Sequence, residues 1–348
     1  MKNLFSLTTL NLIKTTCISM IKDYPMFCRF ELTSKCNFRC EFCHIHKKNN
    51  IKQDMTTAQV FTVIDALAKA GVSFLYVTGG EPLIREDIAE ILKYIKKKHM
   101  YVLLATNGSL FIQKFNNIYK YIDNVHFSIQ SVNNFEKIAG YTKKEFENIC
   151  NGIKLATKSK IPIQINIPVD KNNINEMIDI VEFINKNFFV NDIEFLPIEL
   201  LSSNKEDNEQ IRILLPNMEN FNNNLSVIKK KYNMKFNIFD NDIKKLKYKY
   251  NLKNKEFCKA GNNMLVINSY GELEYPCEFL KMKKTKINSI KDIDEILKNI
   301  DKNKVNNNKI KFCKNCTNSC YLQSSYFLTI SGFTKIISNF IKSNIFGL

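Results

Sequence analysis

Six short apolar runs, each leading into a segment of helical periodicity, constrain this chain more than any other feature. The runs are Phe27–Thr33, Ser73–Thr78, Tyr101–Thr106, Val125–Ile129, Pro162–Ile167 and Asp192–Leu196, all rich in β-branched or aromatic residues. Between them, Thr57–Ala70 sets Val60, Val63, Ile64 and Leu67 on one face and stops at Gly71. Arg85–His99 does the same with Ile88, Ile91, Leu92 and Ile95, and Thr142–Ser159 and Ile174–Asn187 follow. Apolar strands joined by helices imply a parallel sheet covered by helices. Eight such units would close a barrel. Six predict an α/β fold, a partial (β/α)6 TIM-type barrel open on one side, with its chemistry at the C-terminal ends of the strands.

The barrel occupies residues 26–197. Residues 1–25 read as a leading helix rather than a signal peptide, because Asn11 and Lys14 interrupt the apolar run and no small-residue cleavage site follows. Residues 198–257 form a connecting region crowded with Asn and Lys. Residues 258–321 predict a small C-terminal α+β unit. In it, Met264–Tyr275 reads as a hairpin turning at Ser269-Tyr270-Gly271-Glu272, and Ser289 can cap a helix running to about Asp301. The tail, 322–348, is amphipathic through Phe327, Ile330, Phe333, Ile336, Ile337 and Phe340. Such a stripe more often packs on a core or a second copy than on a membrane, so peripheral membrane contact is the lesser reading. No apolar run has the length to span a bilayer, and the expected location is the cytoplasm. The formal charge is +17. It is spread along the chain and carried mostly by Lys, whereas phosphate-reading surfaces cluster Arg among aromatics. Nucleic acid is therefore not expected as a partner.

Eight of the eleven cysteines fall into two groups, which in a chain of this kind points to metal. Cys17, Cys28 and Cys150 stand singly and read as buried small hydrophobes. The first group, Cys36-x3-Cys40-x2-Cys43, follows the first strand. One loop of that spacing can wrap three thiolates around a [4Fe–4S] cube, leaving one iron open as a substrate position. Zinc, with His44 or His46 as a fourth ligand, is the alternative, although zinc sites favour paired C-x2-C elements. The second group is Cys258, Cys277, Cys313, Cys316 and Cys320. A four-thiolate cage drawn from it suits either a second [4Fe–4S] cluster or a structural zinc.

The first cysteine loop, with Phe42 just before its third cysteine, resembles the motif of the radical S-adenosylmethionine (SAM) superfamily. Thr78-Gly79-Gly80-Glu81-Pro82, Thr106-Asn107-Gly108 and Phe127-Ser128-Ile129 resemble that family's further elements. Each falls at the C-terminal end of a successive strand, and the likeness covers residues 27–197. It implies that the open iron chelates the amino and carboxylate groups of SAM. It implies a SAM pocket of Phe42 near the adenine, Gly79, Gly80, Glu81 and Pro82 beside the methionine ammonium, Thr106 and Asn107 on the same rim, and Ser128 on the ribose. One electron from the cluster on Cys36, Cys40 and Cys43 would then yield a 5′-deoxyadenosyl radical that abstracts hydrogen from the substrate. Two departures stand out. Gln130-Ser131 replaces the Asp-Gly pair of many relatives, and Ile163-Gln164-Ile165-Asn166 lacks a glycine pattern, so Asn166 reads as a strand residue.

The second cysteine group resembles the SPASM domain, or its shorter twitch form, found behind such barrels. Five cysteines suggest one auxiliary [4Fe–4S] cluster, held by Cys258, Cys277, Cys313 and Cys316 with Cys320 as a substitute. The resemblance implies an oxidoreductase acting on a peptide or small molecule, with flavodoxin or ferredoxin as electron donor. A lipid substrate is one alternative. A non-catalytic iron–sulfur electron carrier or redox sensor is another, which the Gly79–Pro82 and Thr106–Gly108 elements count against.

Overall fold

The computed structural model describes residues 7–22, 24–43, 45, 52–190, 192–198, 211–232, 237–239, 260–277 and 282–299. His44, His46, Cys258, Cys313, Cys316, Cys320 and the tail at 322–348 lie outside the described residues, as does most of the connecting region.

After helix α1 (Leu7–Lys22), all six expected strands form: β1 (Phe27–Glu31), β2 (Phe74–Thr78), β3 (Tyr101–Thr106), β4 (Asn124–Ser128), β5 (Ile163–Val169) and β6 (Asp192–Pro197). Each pairs in parallel with the next. The helices between them are α2 (Thr57–Lys69), α3 (Ile88–Lys97), α4 (Phe111–Ile118), α5 (Phe135–Ala139), α6 (Lys143–Lys158) and α7 (Met177–Asn187). Local chemistry sets their ends. Thr56 with Gln59 and Thr142 with Glu145 make reciprocal caps at the starts of α2 and α6. Gly71, at φ +81°, turns the chain out of α2. The apolar stripes predicted for α2 and α3 are fully buried against the sheet.

Beyond the barrel come α8 (Met218–Tyr232), β7 (Asn237–Phe239), β8 (Met264–Ile267), β9 (Glu272–Tyr275), β10 (Lys283–Lys286) and α9 (Asp292–Lys298). The sheet order is β10-β9-β8-β1-β2-β3-β4-β5-β6-β7, and the sheet does not close. The hairpin expected to open the C-terminal unit thus extends the barrel's own sheet, with β8 running parallel to β1 and β9 turning back antiparallel. Helix α9 starts later than Ser289 predicted. The Asp292 carboxylate accepts from the amides of Asn288 (2.6 Å) and Ser289 (3.0 Å), which ties down the preceding turn.

The register divides the strands into two faces. Phe30, Val77, Leu104, Phe127, Ile165 and Phe195 are buried on the helix-covered side. Arg29, Tyr76, His126, Gln164, Asn166 and Glu194 share the concave side. There, Arg29 pairs with Glu31 at 3.2 Å, and the rings of Tyr76 and His126 lie 5.8 Å apart. The Gln164 amide donates to Asn166 and to Glu194, both at 2.7 Å. The barrel interior is therefore polar, and the strands alternate in character more than a reading of continuous apolar runs allows.

Helix α1 lies across the N-terminal ends of the strands, away from the C-terminal ends where the first cysteine loop emerges. Thr15 meets Ser73 just before β2, Asn11 donates to the His99 carbonyl before β3 (3.1 Å), and Asn263 before β8 donates to the Ser19 carbonyl (3.1 Å). Its polar side faces the barrel, so Cys17 is exposed rather than buried as expected. Cys28 is buried as expected, and Cys150 is half-buried. Among the described residues, no helix is long and apolar enough to cross a membrane.

Candidate functional site

The three cysteines of the first group leave β1 in one loop, and its start is clamped from three sides. Thr33 Oγ1 donates to Asp54 (2.6 Å), the Ser34 amide donates to the same carboxylate (2.9 Å), and Arg85 donates to the carbonyls of Leu32 (3.0 Å) and Met55 (2.9 Å). Arg85 is itself held in a two-pronged pair with Asp87. Further along, the Cys43 amide donates to the Cys40 carbonyl at 3.0 Å, turning the loop back on itself. Phe38 is buried and stacks on Tyr141 at 4.8 Å, which anchors the loop to the segment after α5.

The Gly79–Pro82 element runs beside this loop. The Gly80 amide donates to the Thr33 carbonyl (2.7 Å) and the Glu81 amide to the Lys35 carbonyl (2.8 Å), so the β1–β2 pairing continues to the edge of Cys36. Gly79 has φ +139°, and a Cβ there would stand 2.4 Å from the Thr33 carbonyl oxygen. A Cβ on Gly80 would stand 2.0 Å from the Lys35 carbonyl oxygen. The glycines are thus required for the element to dock on the cysteine loop, a reason separate from any approach of SAM.

Glu81 is fully buried, and both its oxygens are taken. One accepts from Thr106 Oγ1 (2.8 Å) and the Leu83 amide (3.0 Å), the other from the Asn107 amide (2.7 Å). Thr106 in turn accepts from the Gly108 amide at 2.9 Å. Glu81, Pro82 and Thr106, expected beside the cofactor, are therefore buried behind the rim, where they brace it. Asn107 reaches forward, donating to Asn37 (2.9 Å) and lying 4.0 Å from the Cys36 sulfur. Ser128 is half-exposed on the concave face, and Phe42 is half-buried against the core.

Burial pushes the Glu81 carboxyl up to about 7, against the pull of its three donors. A carboxyl whose folded value exceeds its unfolded value contributes stability at low pH and loses it as pH rises through the interval, here from about 4.5 to about 7. Glu81→Gln removes this titration and turns an NH2 toward one of the donors. The expected result is a loss of about 1–3 kcal/mol at neutral pH and a flatter stability profile between pH 4.5 and 7. Denaturant unfolding of both proteins across that range measures it.

The site holds residues that the sequence alone did not flag. The departure at Gln130-Ser131 has a local role: Ser131 Oγ donates to buried Glu176 (2.6 Å) and accepts from the Asn134 amide (2.7 Å), starting the turn into α5. Asp170, past the end of β5, accepts from the amides of Asn172 (2.7 Å) and Asn173 (3.1 Å). Its second oxygen is buried without a partner among the described residues, and burial, with Glu41 nearby, pushes its carboxyl up. Asn172 bridges to Glu41 at 3.4 Å, linking this turn to the cysteine loop. The run Asp170-Lys171-Asn172-Asn173 is an Asx-turn sequence that carried the signal.

An iron–sulfur cluster fits this loop. Three thiols lie on one short segment, the Cys36 sulfur accepts from the Phe38 amide at 3.4 Å, and no disulfide engages Cys36, Cys40 or Cys43. Burial pushes the thiols of Cys36 and Cys40 up, to about 11 for Cys36, so they stay protonated until a metal displaces the protons. For the second group only Cys277 is described, buried beside Ala260, Met264 and Val266.

Residues 30–184 match the model of the Radical SAM superfamily. A probable GTP 3',8-cyclase of Thermococcus kodakarensis is 33% identical over 44% of this chain and 52% of its own length. An AdoMet-dependent heme synthase of Methanosarcina barkeri is 32% identical over 44% of this chain and 45% of its own. The chain spans about half the length of the curated relatives it matches. Among solved structures, Streptococcus suis SuiB bound to precursor peptide SuiA shares the fold, with TM-score 0.61 and 18% identity over 81% of this chain and 67% of that one. So does anSMEcpe with bound AdoMet, with TM-score 0.58 and 17% identity over 91% and 95% of the two chains. Residues 30–184 thus carry a radical SAM domain, and that superfamily is one of enzymes. That family implies a [4Fe–4S] cluster and SAM.

Proposed function

We propose that this chain uses SAM to abstract a hydrogen atom from a peptide or small-molecule substrate and that the outcome is an oxidation. When bound, the cluster and SAM supply a 5′-deoxyadenosyl radical. The observation that carries the reading is the Glu81 brace, which fixes the Gly79–Pro82 and Thr106–Gly108 elements against the loop of Cys36, Cys40 and Cys43. A bare electron carrier has no use for such a rim. In this reading Cys36, Cys40 and Cys43 hold the cluster, the Gly79–Gly80 backbone and Asn107 line the SAM pocket, and Ser128 accepts the ribose from the concave side. Four of five further cysteines, Cys258, Cys277, Cys313 and Cys316 with Cys320 as a substitute, hold an auxiliary cluster that takes up the substrate's electron.

The concave face bears on the substrate class. Among the described residues, β1–β6 contribute one guanidinium there, Arg29, already 3.2 Å from Glu31, together with Glu194. Burial lowers His126 to about 3, so it is neutral at pH 7. A triphosphate calls for several cations. The face instead suits a donor-rich peptide or small molecule, like the peptides named with SuiB and anSMEcpe, more than the GTP named for the curated relatives.

The test uses Cys316→Ala, checked first by circular dichroism because metal binding is coupled to folding. With dithionite and SAM it is expected to make 5′-deoxyadenosine as the wild type does, yet to release little product from the true substrate. Full product from a well-folded Cys316→Ala protein lacking its second cluster would end the oxidative reading. A rise in 5′-deoxyadenosine on adding GTP would overturn the substrate class.

A further inference from the structure

We propose that the outward face of α1 seats this protein on an anionic lipid surface, leaving the catalytic rim at the opposite end of the barrel open to the surroundings. Helix α1 is inverted relative to a surface helix of an ordinary domain. Its buried side is polar: Thr16 and Ser19 are almost wholly enclosed, and hydrogen bonds tie Asn11, Thr15 and Ser19 to the strand-preceding turns. Its exposed side is apolar. Leu7 is 63% exposed, Leu10 48%, Ile13 40% and Ile21 82%, with Cys17 also outside. Leu7, Leu10, Lys14, Cys17 and Ile21 follow at spacings of three and four, so they form one stripe along the 16-residue helix.

Burying polar groups while exposing large aliphatic ones is costly unless something apolar meets the outer face. Charge decides between the occupants. No Asp or Glu lies in α1, and Lys14 sits within the stripe, where its stem can follow the apolar surface and its ammonium can reach outward. Beside the stripe, a groove of about 390 Å³ is lined by Leu7, Leu10, Asn11, Lys14, Lys98 and His99. Lys98 pairs with Asp65 at 2.6 Å and Lys96 with Asp123 at 2.7 Å, so the flank itself is near balance and Lys14 and the overall charge of +17 set the sign. A second copy docked on the same stripe would set Lys14 near Lys14. The chain's own segment beyond Asp301 contains Lys and no acidic residue, so it would also meet the stripe with like charge. An acidic headgroup layer over an apolar interior matches both features of the face.

The full chain, reconstituted anaerobically, is mixed with phosphatidylcholine vesicles containing about 30% phosphatidylglycerol, or none, and sedimented. Wild type is expected to co-sediment with the anionic vesicles and to bind neutral ones about tenfold or more weakly. Leu10→Asp/Ile21→Asp should weaken binding to the anionic vesicles by about a hundredfold, as two aliphatic side chains no longer enter the interface. Lys14→Glu, which keeps the stripe, should weaken anionic binding and leave neutral binding unchanged. All three side-chain positions, Leu10, Lys14 and Ile21, lie outside the core, and circular dichroism checks that the variants fold. Wild type that stays in the supernatant, or a double variant that sediments like wild type, would refute the proposal. So would a dimer in sedimentation velocity that the double variant abolishes, since the stripe would then be an interface between copies.

Discussion

Cys43→Ala should make no 5′-deoxyadenosine under dithionite and SAM, where wild type makes it slowly even without substrate. Loss of one thiolate leaves two on the loop, too few to hold a cube that offers its fourth iron to SAM. The surrounding clamps do not depend on Cys43: Thr33–Asp54, Arg85 with the Leu32 and Met55 carbonyls, and Phe38 on Tyr141 all remain. The variant is therefore expected to stay folded and to lose about four irons per chain relative to wild type. Iron analysis alongside product assay checks both halves. Retained 5′-deoxyadenosine formation would remove this loop from the catalytic centre.

Gly80→Ala should be nearly as damaging, and by a different route. Its new methyl group would stand 2.0 Å from the Lys35 carbonyl oxygen and 2.5 Å from the carbonyl carbon, both backbone atoms fixed by the β1–β2 pairing. Neither can swing away as a side-chain tip could, so the cysteine loop must shift. The expected cost exceeds about 3 kcal/mol, with reduced iron uptake at Cys36 in particular. Gly152→Ala is the control. It lies within α6, where an added Cβ meets its nearest neighbours at 3.4 Å or more, and alanine favours the helix by about 0.5–1 kcal/mol. Denaturant midpoints and iron content should fall for the first variant and hold or rise for the second. If Gly80→Ala kept its stability and iron, the close docking of the two segments would be wrong. Because the clash precedes any ligand, a bulky residue at Gly80 does not by itself report on SAM binding.

Hydrophobic periodicity determined the six βα units, because burial on one face of a helix or strand leaves its period in the sequence whatever the partner. Cysteine spacing singled out Cys36, Cys40 and Cys43 as one candidate ligand loop, because three thiols on eight consecutive residues can face one centre without any tertiary contact. The order of the Gly79–Pro82, Thr106–Gly108 and Ser128 elements at successive strand ends added the rim proposed to bind SAM. Where the rim residues point was decided by tertiary structure. Glu81 is separated by 25 residues from Thr106, and only the β2–β3 pairing brings the two together, turning an expected ligand contact into a buried brace. The same holds for Glu176 beneath Ser131 and for Asn172 reaching Glu41 across 131 positions. The placement of β8 on the β1 edge, and the inversion of α1, also depend on long-range neighbours: Asn263, Ser73 and His99 supply the hydrogen bonds that let a helix bury Thr16 and Ser19 and turn Leu10 and Ile21 outward. A period in the sequence shows which residues share a face. Which face meets the protein depends on the partners that folding brings to it.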